Sequence, residues 1–277
     1  MLWTGDDVHA LERIAKWCKG LLPPSAVDRV RGAYEGALDA VTFGRGLPRR
    51  VNGCPLRVSP HHRYLAAEGA YEPEVWELFR RELRPDDVVF DVGAHFGLYA
   101  ILLARLGARV HAFEPAPVTL DLLRYHLRIN SATSRVEVVP TAVGSEPGTA
   151  WMQTSGPNVV NTLSREGAGL ARSEPRPVAV TTLDRYSQER SLLPRWVKID
   201  TEGWELRVLE GAVGLIREVD PPTFVVEVHP WGWSGAGHGR RELESFLDQH
   251  GLELTPLSDQ VDPLAEYGHV RLVRSGS

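Results

Sequence analysis

The chain has 277 residues, of which 43% are hydrophobic and 24% are charged, and its formal net charge is −5 at pH 7. These values are typical of a globular protein with a substantial core, and the length suits one α/β domain with an addition, or two small domains. A nucleic-acid enzyme more often carries a basic excess, so the acidity argues against a nucleic-acid partner and favours a small, uncharged or cationic substrate.

Only two cysteines occur, Cys18 and Cys54, which argues against a disulfide scaffold. The first residues lack the cationic region and apolar core of a signal peptide. No apolar run approaches the ~20 residues that a membrane span needs. We therefore expect a cytoplasmic protein without a membrane partner.

The first 65 residues are predicted to form an addition of two helices and a hairpin. Apolar residues recur at helical spacing over residues 8–21 and 30–41. Asn52-Gly53 between two short apolar stretches is typical of a hairpin turn. This module, residues 1–65, is predicted to serve as a lid, a substrate contact or the contact of a homodimer.

From residue 66 to residue 277 the chain alternates between strands and helices, which predicts one Rossmann-like domain. Apolar strands are predicted at residues 88–90, 109–113, 136–139, 196–200 and 223–228. Helices are predicted at residues 72–83, 98–106, 118–130, 205–217 and 242–250. We expect closing strands at 251–254 and 269–273, and a less regular region at 148–182 with strand-like pieces around 156–158. The alternation is typical of a doubly wound α/β fold, a parallel sheet with helices on both faces.

The ends of the predicted strands direct attention to a site. In doubly wound sheets, ligands bind beyond the carboxyl ends of the strands, near the switch in strand order. The residues at predicted strand ends are Asp91, Glu114, Ala142, Asp200 and Glu227. They are therefore the first candidates for contact with a ligand.

Residues 91–97 (DVGAHFG) follow an apolar strand and open a helix, which is the context of a nucleoside-binding turn. Gly93 permits a sharp turn, and Gly97 lets the backbone approach a ligand or a neighbouring strand. Glu114 ends the next strand, where its carboxylate can accept both ribose hydroxyls. The plainer alternative is a glycine turn that only joins strand and helix.

The same loop discriminates between nucleosides. It lacks the middle glycine of the dinucleotide fingerprint, and His95 would hinder the approach of a pyrophosphate. Asp91 would repel a pyrophosphate but suits the cationic amino group and sulfonium of S-adenosylmethionine. The sequence therefore favours S-adenosylmethionine, with these candidate binding residues: Asp91, Gly93, Ala94, His95, Gly97, Glu114, Ala142 and Asp200.

Two pairs of charged residues leave predicted strands with a spacing of two, which places each pair on one face. The pairs are Lys198 with Asp200, and Glu227 with His229. The acceptor of a methyl group must lose a proton, and we expect His229 or Asp200 to act as the general base. The plainer alternatives are a strand-end ion pair at Lys198 and a structural role for His229. Glu205 begins a predicted helix, where a carboxylate stabilises the helix dipole.

Asp200, Glu227 and His229 also offer ligands of the kind that divalent metals take. No His-Glu-x-x-His or paired-cysteine motif occurs, and nothing has diagnostic ligand spacing. A divalent metal is therefore an alternative that the sequence does not predict.

Several motifs follow one another along the chain: GAYEP at 69–73, DVGAHFG at 91–97, FEP at 113–115, TLD at 182–184, KIDTEGWE at 198–205 and VEVHP at 226–230. Over about residues 66–230 they resemble the FkbM-type methyltransferases. The resemblance implies a class I methyltransferase fold that uses S-adenosylmethionine to methylate mostly hydroxyls of sugars and polyketide-like metabolites. It also places Tyr71 and Glu72 close to the cofactor. His95 stands where the family commonly has asparagine.

The glycine-rich segment 231–239, which begins with Trp231 and Trp233, has two interpretations. It is either a mobile lid that presents aromatic surface to a sugar or macrocycle, or a simple exposed loop. The sequence does not decide between them.

The sequence thus predicts an S-adenosylmethionine-dependent O-methyltransferase of a sugar or natural-product hydroxyl, with S-adenosylhomocysteine as product. N-methylation of a similar metabolite is an alternative, because an amine needs the same alignment. A nicotinamide-dependent sugar oxidoreductase is disfavoured by the missing middle glycine and the lack of an evident Tyr-x-x-x-Lys pair. A non-catalytic protein that binds the cofactor is a further alternative.

Overall fold

The computed structural model describes residues 36, 38, 40, 42–65, 69–153, 162–164 and 176–275. The chain divides into two compact units, Met1–Ala70 and Tyr71–Ser277, close to the boundary predicted between residues 65 and 66. The predicted helix at 8–21 and the strand-like pieces at 156–158 lie outside the described residues.

In the first unit, the predicted hairpin is confirmed. Strands β1 (Leu47–Val51) and β2 (Cys54–Val58) pair antiparallel, with Val51 opposite Cys54. Asn52 and Gly53 both have positive φ angles, 50° and 75°, as the tight turn of a two-residue hairpin requires. Residues 36, 38, 40 and 42 are helical, in agreement with the second predicted helix, and a short 3₁₀ segment follows at Pro60–Leu65.

The second unit contains a seven-stranded sheet. Its strands are β3 (Val88–Val92), β4 (Arg109–Phe113), β5 (Val136–Val139), β10 (Trp196–Ile199), β11 (Thr223–Val228), β12 (Leu252–Pro256) and β13 (Gly268–Arg274). Their order is β12-β13-β11-β10-β3-β4-β5. Strand β13 runs antiparallel to β11 and β12, whereas the other neighbours are parallel. The doubly wound α/β fold is confirmed, and at one edge the sheet becomes mixed because β13 runs antiparallel to both of its neighbours.

A smaller, four-stranded sheet occupies the region that was expected to be less regular. Its strands are β6 (Ala142–Val143), β7 (Gly148–Gln153), β8 (Thr162–Ser164) and β9 (Arg176–Thr181), in the order β6-β9-β7-β8. Ala142 was predicted to end a strand of the main sheet, but it lies beyond β5 in this second sheet, where it pairs with Val180. Short strands that alternate around turns carry too weak a periodic signal to be predicted from so few residues.

Helices flank the main sheet. They are α1 (Pro73–Glu82), α2 (Leu98–Arg105), α3 (Pro117–Ile129), α4 (Leu183–Arg190), α5 (Glu205–Glu210), α6 (Val213–Ile216) and α7 (Arg240–His250). None of the helices in the described part of the chain has the length and apolar character needed to cross a bilayer.

The prediction of a single helix at 205–217 is wrong, because this segment forms two helices, α5 and α6. At the break, a Cβ on Gly211 would lie 2.1 Å from the backbone oxygen of Gly144. The Asp184 carboxylate then accepts the amide N–H groups of Gly214 (2.7 Å) and Leu215 (2.9 Å), which begin α6. Asp184 lies on α4, a helix that the sequence did not predict. Its carboxylate caps the first turn of α6, so α5 ends and a separate helix begins.

Successive strand residues face opposite cores, as the pleat requires. Phe90 and Val197 pack with residues of α5 and α7, whereas Val89 and Trp196 pack with residues of α1, α2 and α3. The chain leaves β3 for β4 on one side, and β10 lies on the other side of β3, so the strand order switches between β3 and β10. The carboxyl ends of these two strands are therefore where a ligand site is expected.

The contact at Gly211 yields a test of packing. Gly211→Ala should destabilise the protein by about 1–3 kcal/mol, because the added methyl group meets backbone that has no room to move. Gly148→Ala is the matched control: nothing lies within 4 Å of its added Cβ, so a change within about 0.5 kcal/mol is expected. Urea unfolding followed by circular dichroism measures the free energy of unfolding of both variants. Equal stability of the two variants would contradict the close packing at Gly211.

Candidate active site

The loop between β3 and α2 lies at the switch point and is held tightly. Gly93 has a φ of 85°, and a Cβ there would lie 1.8 Å from the backbone oxygen of Asp200. The amides of Gly93 and Ala94 both donate to the carbonyl of Phe113 at 3.0 Å. Only glycine fits where the loop crosses the end of β10, so the loop brings bare backbone to the centre of the site.

His95 occupies a left-handed backbone position, with a φ of 50°. Among non-glycine residues, asparagine, aspartate and histidine adopt this conformation most readily. His95 therefore meets the same backbone requirement as the asparagine common at this place in the family pattern. Gly97, with a φ of 87°, ends the turn where a Cβ would strike the side chain of Leu123 at 2.4 Å.

Glu114 ties this loop to the end of β4. Its Oε2 accepts the amide of His95 at 3.0 Å, and its Oε1 accepts the amide of Ala116 at 2.8 Å. Burial raises the pKa of Glu114 to about 7, against the lowering effect of the two amide hydrogen bonds. Each carboxylate oxygen keeps a lone pair, so the group can still accept the two hydroxyls of a ribose.

Asp91 is the clearest sign of a ligand at this position. Its side chain is 1% exposed, and neither carboxylate oxygen has a hydrogen-bond partner in the described part of the chain. Burial raises its pKa to about 6. The Lys198 charge offsets part of this burial cost, but carboxylate oxygens without hydrogen-bond donors are costly to bury. The amino group of a nucleoside with a cationic amino acid moiety would supply such donors. Together with bare Gly93, these oxygens fit S-adenosylmethionine.

Beside the loop, charged residues from neighbouring strands meet on the face covered by α1–α3. Asp91 and Lys198 are register partners on β3 and β10. Lys198 Nζ lies 3.3 Å from Asp200 Oδ2 and 4.7 Å from the ring centroid of Tyr99. Burial alone would lower the pKa of Lys198, but the surrounding carboxylates, Asp200 first, raise it well above its ordinary value. The ion pair between Lys198 and Asp200, which the sequence offered as the plainer alternative to a site role, is therefore present, and Lys198 is a buried ammonium.

A second pair crosses from β11 to β13. Glu227 and His269 face each other in antiparallel register, and His269 Nε2 lies 3.7 Å from Glu227 Oε2 and 3.2 Å from Glu72 Oε2. Burial opposes the charge of His269, yet its close contacts with the Glu227 and Glu72 carboxylates raise its pKa to about 9. Burial would raise the pKa of Glu227, but the contact with His269 and the Lys198 charge lower it to about 2. Both groups are thus charged near neutral pH.

His229 is enclosed by carboxylates. Its Nδ1 lies 3.0 Å from Glu205 Oε1, and its Nε2 lies 3.4 Å from Glu202 Oε2 and 3.8 Å from Glu227 Oε1. Burial would lower the pKa of His229, but the hydrogen bond and charge of Glu205 raise it to about 9. With only 2% of its side chain exposed, His229 is a buried, charged ring rather than an open one.

Glu205 does more than stabilise the start of α5. Its Oε2 accepts the indole N–H of Trp233 at 3.0 Å, and its Oε1 accepts the amide of Gly203 at 2.8 Å as well as the His229 contact. Trp233 is buried in a short 3₁₀ helix, Trp233–Ala236. Trp233 therefore anchors this segment to Glu205, while Trp231, Ser234, Gly235 and Gly237 are exposed.

Two groups of side chains have a geometry that could hold a metal ion. Asp200, Glu227 and His229 form one, and Glu72, Glu227 and His269 form the other, with the potential ligand atoms of each within 4.8 Å. In both groups a protein cation lies against a carboxylate: Lys198 Nζ is 3.3 Å from Asp200, and the two imidazoles contact Glu227.

The structure brings together most of the predicted site residues. Asp91, Gly93, Ala94, His95, Gly97 and Glu114 form the loop region, and Tyr71, Glu72, Lys198, Asp200, Glu227 and His229 form the adjoining charged cluster. Sequence reasoning missed Tyr99, Tyr267 and His269 and assigned Glu205 too small a role. Nothing local marks these residues, since their partners lie on other strands far along the chain.

Comparison with known proteins places the chain in a family. The model of the methyltransferase FkbM domain matches residues 91–254. The hexuronic acid methyltransferase AglP of Haloferax volcanii is 30% identical over 207 residues, covering 69% of this chain and 74% of that protein. The 31-O-demethyl-FK506 methyltransferase FkbM of Streptomyces tacrolimicus is 32% identical over 216 residues, covering 66% of this chain and 78% of that protein.

Among solved structures, cofactor-bound Rv0187 from MTB is 19% identical, covers 74% of this chain and 80% of that chain, and aligns with a TM-score of 0.46. The family match extends from the loop at Asp91 through the motifs that carry Lys198, Asp200, Glu227 and His229. The chain therefore belongs to the FkbM methyltransferase family and is an S-adenosylmethionine-dependent methyltransferase.

Proposed function

We propose that this enzyme methylates a hydroxyl group of a sugar or natural-product scaffold, a small molecule rather than a nucleic acid. One observation carries the proposal: the Asp200 carboxylate, 24% exposed, stands at the switch point beside Gly93 and next to a charged cluster. The names of the two relatives, one for a hexuronic acid and one for 31-O-demethyl-FK506, support a sugar or natural-product acceptor.

Asp91, Glu114 and the backbone at Gly93 are the groups that would hold the cofactor. When bound, S-adenosylmethionine supplies an electrophilic methyl group on a sulfonium. The protein must then align the acceptor, exclude water and take up the hydroxyl proton. Burial and the Glu227 charge raise the pKa of Asp200, partly offset by Lys198, so its carboxylate is a stronger base than an ordinary aspartate.

Asp200 is therefore proposed to accept the proton, and His229 to act as a positioning residue. The His229 ring lies between Glu205 and Glu202 with little access to an acceptor, and its raised pKa keeps it protonated near neutral pH. In this form it fixes Glu202 and Glu227 at the edge of the site. Of the two candidate bases, Asp200 has the more exposed side chain, 24% against 2% for His229.

Cofactor binding is tested at Glu114. Glu114→Gln should weaken the binding of S-adenosylhomocysteine by about 10- to 100-fold, because hydrogen bonds to a charged group contribute roughly 1.5–3 kcal/mol. Isothermal titration calorimetry measures this, with thermal melting to verify folding. Glu146→Gln, at an exposed turn, is the control and should bind normally. An unchanged affinity in the folded Glu114 variant would refute its role.

Chemistry is tested at Asp200. Asp200→Asn should lower kcat by about 10²- to 10⁴-fold with little change in S-adenosylhomocysteine affinity, since it removes a general base. Methyl transfer from labelled S-adenosylmethionine to a panel of glycosides and hydroxylated macrolactones is the assay, and Asp248→Asn on the exposed side of α7 is the control. If the wild type forms no labelled methyl ether with any acceptor, the proposed function is wrong.

The positioning role of His229 is tested at Glu205. Glu205→Gln should lower the pKa of His229 from about 9 towards 6.5, as NMR titration of the ring would show, and move the alkaline limb of kcat/KM to lower pH. Because the folded pKa lies above the unfolded value, the pair stabilises the protein fully below pH 6.5 and loses this effect as pH rises through 9. The stability gap between wild type and variant should shrink accordingly.

Glu210→Gln is the matched control on the same helix, since Glu210 pairs with Arg207 at 2.9 Å. Its His229 titration should follow that of the wild type. A His229 pKa that is the same in the Glu205 and Glu210 variants would contradict the positioning role.

A further inference from the structure

Two large aromatic side chains stand exposed at the edge of the charged cluster. Trp231 is 63% exposed and Tyr267 is 53% exposed. Their ring centroids lie 5.5 Å apart with an angle of 31° between the planes, so the rings form one continuous apolar surface. Trp151, another exposed aromatic residue, lies on β7 of the smaller sheet. Exposed apolar patches of this kind commonly mark ligand sites.

The two rings are held in place although they face solvent. The hydroxyl of Tyr267 donates to Glu227, and the Trp231 ring stands edge-on to His229 with centroids 5.2 Å apart. Next to Trp231, the amide of Gly232 donates to the His229 carbonyl at 2.9 Å. A Cβ on Gly232 would lie 2.5 Å from the carbonyl oxygen of Glu202. The surface is thus built onto the same residues that form the charged cluster.

Two carboxylates that can accept a hydroxyl, Asp200 and Glu202, lie next to the His229 ring that supports this surface. His229, which touches both rings, lies 3.4 Å from Glu202, and Glu202 and Asp200 each keep about a quarter of their side chains exposed. An aromatic face flanked by a few convergent polar groups suits a ligand with one apolar face and a polar rim. A pyranose ring has this character, because its axial C–H groups form an apolar face and its hydroxyls point outward.

The charge of the cluster selects further among sugars. Its carboxylates outnumber its basic groups: Glu72, Asp91, Asp200, Glu202, Glu205 and Glu227 against Lys198, His229 and His269. A carboxylate on the acceptor would meet like charge in a partly desolvated site, which is a cost that selects against it. The pKa of Glu202, raised to about 7 by burial and by Asp200 against the charge of His229, reflects the same negative field.

We propose that Trp231 and Tyr267 form the acceptor platform and that it takes the ring of a sugar without a carboxylate group. The inference rests on the proposed hydroxyl methylation and names its substrate class. It sets the chain apart from the relative named for a hexuronic acid. Trp231 determines affinity for the acceptor, and Asp200 is left to act on the hydroxyl that the platform presents.

Binding of a matched pair of probes tests the platform. Saturation-transfer NMR would compare methyl β-D-glucopyranoside with its uronic acid, methyl β-D-glucopyranosiduronate, on protein saturated with S-adenosylhomocysteine. The neutral glucoside should bind and the uronate should not. Trp231→Ala should weaken glucoside binding about tenfold, Trp231→Phe should restore most of it, and Trp151→Ala should match the wild type.

The outcomes separate this inference from the proposed function. A glucoside that does not bind the wild type, binds Trp231→Ala equally well, or binds no better than the uronate overturns the platform. Unchanged calorimetric affinity of Trp231→Ala for S-adenosylhomocysteine is the expected sign that the fold and donor site are intact. If the wild type still methylates a hydroxylated macrolactone while the glucoside fails, the platform is refuted and the methyltransferase function stands.

Discussion

The burial of the Lys198 ammonium is the constraint on which the rest of the site depends. Lys198 is 3% exposed on the central strand β10, where an unpaired charge would cost several kcal/mol. Asp91 on one side, Asp200 beyond it and Glu72 from the start of α1 compensate it. These carboxylates must then be held near each other, and the two imidazoles, His229 and His269, offset their repulsion.

Holding these groups together requires uncommon backbone conformations. Glu72, His95 and Glu202 have φ angles of 43°, 50° and 54°, in the left-handed region that non-glycine residues seldom adopt. All three contact the site, and each is fixed by neighbours: Glu72 by His269, His95 by Glu114 and Glu202 by His229. The surrounding packing sustains this local strain, which is a common property of functional sites. These contacts thereby fix the position of Asp200 relative to the loop at Gly93.

Most of the fold could be predicted, because the strands of the main sheet are short apolar runs and its helices have clear periodicity. The failures have tertiary causes. Asp184 and the close contact at Gly211 divide one periodic segment into α5 and α6. The small sheet of β6–β9 and the antiparallel direction of β13 depend on pairing between distant segments, which periodicity does not record. The sequence analysis also did not predict helix α4.

The sequence by itself singled out the loop at residues 91–97, Glu114 and the charged residues Lys198, Asp200, Glu227 and His229 as site candidates, because each follows directly from a strand end. Only the tertiary structure decided what these residues do. The antiparallel return of β13 sets His269 opposite Glu227 and carries Tyr267 to it, across about 40 residues of chain. Packing buries His229 against Glu205 and leaves Asp200 open. Access to an acceptor depends on burial, and burial depends on contacts that no local pattern encodes.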